Sequence, residues 1–321
     1  MSAAQTFPPP GLPESLEPGT HDWAHSLQAT KLFVPARQME APRPPVSTLD
    51  HAVPPPPVPF RPKLLLTIPV HNEARFIRTT VELVDLALSQ SGIDYVLAIA
   101  EDGSTDGTKE ILRRLKQEMP ELLLRMEPEK LGRGKALRQI WKDVPADFYA
   151  FCDTDLATDA ETLVSLVRRA LSGNEIVVGS RYAEGAVVQR PPLRAWVSRV
   201  YNWYVRNSFR DGILDHQCGL KIFSRRVVDE LLDRTQEDSW FWDTEILVLA
   251  RRHGFAVDEV AVPWVEKKTR RTSYRRLISD IGLHGAGLLR LKGQSGAPLP
   301  ASSKVSFPAQ ECLAGPSAQE R

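Results

Sequence analysis

Cysteine is scarce in this chain. There are three in 321 residues, Cys152, Cys218 and Cys312, and no CxxC pair among them. That spacing excludes a disulfide framework and a structural zinc site, and it suits a reducing compartment. Long apolar runs are missing as well, since no stretch approaches the roughly 20 residues needed to span a bilayer. The first residues carry neither the basic flank nor the apolar core of a secretory signal. The expectation is a cytoplasmic chain whose contact with a membrane surface, if any, is peripheral. Net charge is nearly absent too, at +1, so no global attraction to nucleic acid is expected and electrostatic targeting must come from local patches.

Glycine-rich phosphate loops are the last absence. Neither GxGxxG nor GxxxxGK[ST] follows the first apolar strand, which excludes a dinucleotide site and a P-loop. The loop there reads Pro69-Val-His-Asn-Glu73 instead, unlike the glycine-rich first loop expected of a sugar nucleotidylyltransferase.

What is present is an ordinary globular composition, 42% apolar and 25% charged. Of 26 prolines, 15 fall in the first 62 residues, including Pro8–Pro10 and Pro54–Pro57. Proline removes backbone donors and favours extended geometry, so residues 1–61 are expected to be a disordered tail. The folded domain is expected over 62–292, followed by a Gly/Pro/Ser-rich disordered tail over 293–321.

Within the domain, strands and helical patterns alternate. Strands are expected at 64–68, 95–100, 122–126, 148–152 and 175–179, and helices at 74–89, 106–119, 134–142 and 160–171. This is the signature of βαβ crossovers, hence an α/β fold with a mainly parallel sheet covered by helices on both faces. Ligands bind such sheets at the carboxyl ends of the strands. Glu73, Asp102 and the pair Asp153/Asp155 sit at three of those ends. Two carboxylates one residue apart can share a hard divalent cation, Mg²⁺ or Mn²⁺, with water and phosphate oxygens completing the shell. The competing reading is structural: Asp153 ends a strand, and Asp155 or Asp159 caps the next helix. Asp106 reads as a helix N-cap, Asp243 either as an N-cap or, with Glu245, as a catalytic base, and Cys218 as a core residue.

Taken in order, seven stretches resemble family 2 glycosyltransferases of the GT-A fold, and more closely the polyprenyl (dolichyl) phosphate hexosyltransferases. They are IPVHNEA from Ile68, EDGSTDGT from Glu101, LGRGKALR from Leu131, DTD at Asp153, GSRY from Gly179, DHQCGLKIF from Asp215 and WFWDTE from Trp240. The resemblance implies an inverting, metal-dependent transfer of glucose or mannose from UDP-glucose or GDP-mannose to a polyprenyl phosphate. It assigns Pro69, His71, Glu73 and Asp102 to the nucleotide base, and Asp153 and Asp155 to the metal and diphosphate. Lys135 and Lys221 join the ligand-binding cations. Arg181, Arg194 and Ser198 match acceptor-phosphate contacts, and Arg270 and Arg271 lie in a basic lid-like run. Mannosyl members place Gln where this chain has Ala157, which tilts the donor towards UDP-glucose.

The stretch 193–210 interleaves Trp196, Tyr201, Trp203 and Tyr204 with arginines. It reads equally as an interfacial amphipathic helix or as a helix packing its aromatics on the core. Two functional alternatives stand beside the leading one: the same fold acting on a soluble acceptor, and a catalytically silent nucleotide-sugar-binding scaffold.

Overall fold

The computed structural model describes residues 64–265, Gly285 and 287–293. The two tails, the basic run with Arg270 and Arg271, and Cys312 lie outside the described residues.

A seven-stranded sheet runs in the order β3-β2-β1-β4-β7-β5-β8. Its strands are β1 (Leu64–Val70), β2 (Tyr95–Glu101), β3 (Leu123–Met126), β4 (Phe148–Cys152), β5 (Ile176–Ser180), β7 (Leu220–Ser224) and β8 (Asp258–Ala261). A two-residue strand, β6 (Val188–Gln189), pairs with β9 (Trp264–Val265) apart from this sheet. The helices are α1 (Ile77–Ser91), α2 (Thr108–Glu118), α3 (Arg133–Asp143), α4 (Ala160–Leu171), α5 (Pro192–Phe209), α6 (Arg225–Leu231) and α7 (Trp242–Arg252).

β1 shows why the central strands form. Its LLLTIPV run is apolar throughout because both faces are covered. Leu64, Leu66 and Ile68 point to one core with Ile77, Val81, Val84 and Leu88 of α1, whereas Leu65 points to the other with Trp141 and Trp242. The 4-7-11 spacing of the α1 residues is one helical face, and Gly92 closes that helix at φ 73°. In the second core Trp141 lies 5.5–5.8 Å from the rings of Tyr149, Phe223 and Trp242, and its indole N–H donates to Thr67. Each fully buried aliphatic side chain of this kind contributes about 1.5–3 kcal/mol.

The sheet is mixed, and one strand departs from the expected pattern. β7 enters antiparallel between β4 and β5, with Cys152 opposite Leu220. A strand running the other way starts where its neighbours end. It therefore brings residues 215–219 to the same edge as the carboxyl ends of β1, β2, β4 and β5. Among the described residues no helix is long and apolar enough to cross a membrane.

Candidate active site

Three loops meet at the carboxyl edge of the sheet, and polar side chains hold them together. Asn72, at φ 59°, takes the left-handed conformation that asparagine tolerates. Its Oδ1 accepts the N–H groups of Thr105 (2.7 Å) and Asp106 (3.3 Å), and Ser104 Oγ accepts its own N–H. Asp106 is not the N-cap of α2, which is Gly107; it accepts the N–H groups of Thr108 and Ala74 instead, tying the same loops. Thr154 donates to the Pro69 carbonyl and accepts from Thr80, which fixes the loop after β4 to β1 and α1.

The hydrogen bonds of His71 define its tautomer. Nδ1 lies 2.6 Å from the Asp102 carbonyl, which can only accept, and Nε2 lies 3.2 Å from the Asn72 amide nitrogen, which can only donate. The ring thus donates through Nδ1 and accepts at Nε2. Pro69, His71 and Glu73 stand half-buried along one rim. Asp102 is more enclosed, and its carboxylate accepts the N–H groups of Leu131 and Gly132. It thereby carries the loop leading into α3. Gly132 is required there, because at φ 104° a Cβ would sit 2.2 Å from the Asp238 carbonyl. Lys135 follows, half-buried, its backbone N–H on that carbonyl.

At the end of β4 the chain turns sharply, with Leu156 at φ 42° and its N–H on the Asp153 carbonyl. Such a strained non-glycine residue is typical of functional loops. Asp155 Oδ1 accepts the Ala157 N–H (3.1 Å). The helix cap is Asp159, which accepts the Thr162 N–H at 2.7 Å. Asp153 is wedged: Arg133 Nη1 lies 2.8 Å from Oδ1, and a Cβ on Gly219 would come 1.8 Å from Oδ2. Burial pushes the Asp153 carboxyl up to about 6, reinforced by Asp155 and Asp243 and opposed by Arg133 and Lys221.

Asp243 is not an N-cap. It sits in the first turn of α7, whose N-cap is Phe241 with no side-chain cap. It is buried beside Arg133 Nη2 (3.6 Å) and Lys221 Nζ (4.0 Å), and its Oδ1 has no hydrogen-bond partner. Asp153, whose side chain is 26% exposed, and buried Asp243 thus share one cluster around Arg133. Glu245 is not brought into it. Both its oxygens accept the N–H of Gln236, and one also that of Glu237, so it braces a loop; burial pushes it up to about 7.

The residues expected to face an acceptor divide in the same way. Arg181 grips Asp215 with both prongs, and Lys221 is fully buried with its ammonium on the Cys218 carbonyl, so both are built into the core of the site. Arg194 is half-buried on α5, and Ser198, one turn on, accepts the Tyr182 hydroxyl (2.8 Å). Burial, then the charge of Arg190, holds the Arg194 guanidinium below its usual range, and Arg190 is itself lowered by burial and Arg181. Cys152 and Cys218 are buried free thiols, pushed up by desolvation and inert.

Two residues packed into this edge were not singled out by the sequence, Arg133 and Asp215. Arg133 lies in the LGRGKALR stretch, flanked by glycines that allow close packing. Asp215 opens DHQCGLKIF but lies 34 positions from its partner.

The family model described as glycosyl transferase family 2 matches residues 66–232, more than half the chain. Glycosyltransferase AglD of Haloferax volcanii is 39% identical over 230 residues, covering 70% of this chain and 36% of its own length. Dolichyl-phosphate beta-glucosyltransferase ALG5A of Trichomonas vaginalis is 32% identical over 213 residues, covering 63% of this chain and 66% of its own length. This chain thus spans about a third of the first relative and about two thirds of the second. Among solved structures, glucosyl-3-phosphoglycerate synthase from Mycobacterium tuberculosis in complex with UDP superposes with a TM-score of 0.56 at 19% identity, over 75% of this chain and 88% of that one. A mannosyltransferase from Pyrobaculum calidifontis in complex with GDP-Man and Mn²⁺ gives 0.50 at 20% identity, over 75% and 67%. At such identities these two likenesses establish the fold, a mixed α/β sheet of the GT-A type. The family match, over more than half of the chain, settles the classification: the chain belongs to glycosyl transferase family 2 and is a glycosyltransferase.

Proposed function

We propose that this glycosyltransferase moves a hexose, glucose or mannose, from a nucleotide-sugar (UDP-glucose or GDP-mannose) to a polyprenyl phosphate, with inversion, while resting peripherally on a membrane. One observation carries the reading. The helix α5 holds half-buried Arg194 and buried Ser198 on one side and exposes Leu193, Trp196, Val200 and Trp203 on the other. A phosphate fits the first side and a lipid surface the second. Between Pro192 and Phe209 the helix has three arginines and no acidic residue, which suits an anionic partner. The relatives named as dolichyl-phosphate glucosyltransferases support that acceptor, and neighbours solved with UDP, or with GDP-Man and Mn²⁺, support the donor class.

Pro69, His71, Glu73 and Asp102 would face the nucleotide base, the His71 ring offering a flat surface. Asp155 and Asp153 are hard oxygen donors suited to Mg²⁺ or Mn²⁺. Among the described residues no three or more His, Cys, Asp or Glu side chains form a metal site by themselves. The donor's phosphates and water would therefore complete the shell. Bound there, a divalent cation supplies Lewis-acid stabilisation of the leaving diphosphate. A phosphate oxygen of the acceptor attacks the anomeric carbon, and the bond to the diphosphate oxygen breaks with its electron pair. A phosphate monoester, with a second pKa of about 6, is already largely a dianion. No base is needed, so Asp243 and Glu245 are free for structural work, and Arg194 places the nucleophile.

The test is transfer from each donor by the full chain, with Mn²⁺ and either a polyprenyl phosphate or soluble hydroxyl acceptors. The expected product is a lipid-phosphate hexose. Asp155→Asn should abolish its formation while leaving the unfolding midpoint unchanged. Transfer to soluble acceptors alone would overturn the assignment.

A further inference from the structure

Arg133 is an unusual cation for a site built to receive another. Its side chain is 5% exposed and lies between two aromatic faces, 4.6 Å from the Phe151 ring and 4.6 Å from the Trp240 ring. One prong, Nη1, is 2.8 Å from Asp153 Oδ1. Nη2 stops 3.6 Å short of Asp243, and Nε and Nη2 have no hydrogen-bond partner. Aromatic faces attract a guanidinium without fixing its rotation in plane, whereas hydrogen bonds fix it. Arg133 is thus confined to a slot but tied by a single carboxylate oxygen. Asp243 Oδ1, buried and also without a partner, is an acceptor within the same cluster.

Resting on the metal-assisted reading above, we infer that Arg133 is a positioning residue whose guanidinium competes with the divalent cation for Asp153. A positive charge already on the aspartate weakens uptake of a bare cation. Donor diphosphate, bringing its own negative charge, restores it. The site then fills efficiently only with cation and nucleotide together, and Arg133 turns its pairing towards Asp243 as Asp153 is taken over. Lysine at this position would keep the charge but not the flat stack between two rings.

The test needs no turnover. Binding of Mn²⁺ alone to the full chain, read from the loss of the free-ion electron paramagnetic resonance signal, is compared for wild type, Arg133→Gln and Arg133→Lys. Arg133→Gln, which keeps a donor for Asp153 but loses the charge, should bind Mn²⁺ about tenfold more tightly, about 1.4 kcal/mol. Arg133→Lys should stay near wild type. Equal affinity in wild type and Arg133→Gln, or the same gain in both variants, overturns the inference while leaving the metal reading intact. A wild type that takes up no Mn²⁺ even with UDP present overturns both. A second measurement uses the unaltered protein. In arginine-labelled wild type, Mg²⁺ added with UDP should shift the Nε–H resonance of Arg133 and spare that of Arg181, which Asp215 holds. An unmoved Arg133 resonance at saturating Mg²⁺ with UDP contradicts the competition.

Discussion

Arg181 and Asp215 form a two-pronged ion pair, Nε to Oδ2 at 2.7 Å and Nη2 to Oδ1 at 2.8 Å, with both side chains almost wholly out of water. Asp215 also accepts the backbone N–H groups of Arg181 and Gln217. The pair therefore ties the end of β5 to the segment entering β7. Removing one member of such a buried pair leaves the other charged and unpaired, at about 3–5 kcal/mol. Asp215→Asn should lose about that much stability in urea unfolding, and activity should fall with it. A loss under about 1 kcal/mol would show that the pair is not structural.

Glu245 makes stability depend on pH. Burial pushes its carboxyl up to about 7, against the N–H of Gln236 and the charge of Arg138, which pull it down. The folded protein therefore holds this proton more tightly than the unfolded chain, whose carboxyl titrates near 4.5. The contribution is complete below pH 4.5 and is lost as pH rises through about 7. Urea midpoints between pH 5 and 8 should fall for wild type and stay flatter for Glu245→Gln. Parallel curves would remove Glu245 from the account.

Much of this fold was legible before any coordinates, and the exceptions have physical reasons. The strand 148–152 and the helix 160–171 match to the residue, because one is a short apolar run and the other begins with an Asp159 cap. The first helix starts at Ile77 rather than 74, since the Glu73 carbonyl accepts from Phe76 and Ile77 in a turn that precedes it. β7 was visible as a motif but not as a strand, and nothing local reveals that it runs antiparallel. The carboxylates at the sheet edge were legible as a set. Which of them face each other was not: Arg133 meets Asp153 and Asp243 only through long-range packing of Phe151 and Trp240, and Glu245 turns out to face a loop.

The outer face of α5 makes a separate prediction. Trp196 and Trp203 are 63% and 58% exposed, so replacing both with alanine should leave stability nearly unchanged. Co-sedimentation with anionic vesicles should nonetheless fall several-fold, because interfacial binding scales with the apolar area inserted. Unchanged sedimentation would mean that this face does not meet lipid.

The acceptor assignment meets its most direct test at Arg194. A guanidinium can hold a phosphate with paired, charge-assisted hydrogen bonds that lysine cannot reproduce. Losing one hydrogen bond to a charged group costs about 1.5–3 kcal/mol, or roughly a 10- to 150-fold loss of rate. The measurement is the ratio of hexose transfer onto polyprenyl phosphate to donor hydrolysis by water, for wild type and Arg194→Lys. A phosphate acceptor requires transfer to fall by that factor while hydrolysis holds; a ratio that does not change would contradict the account.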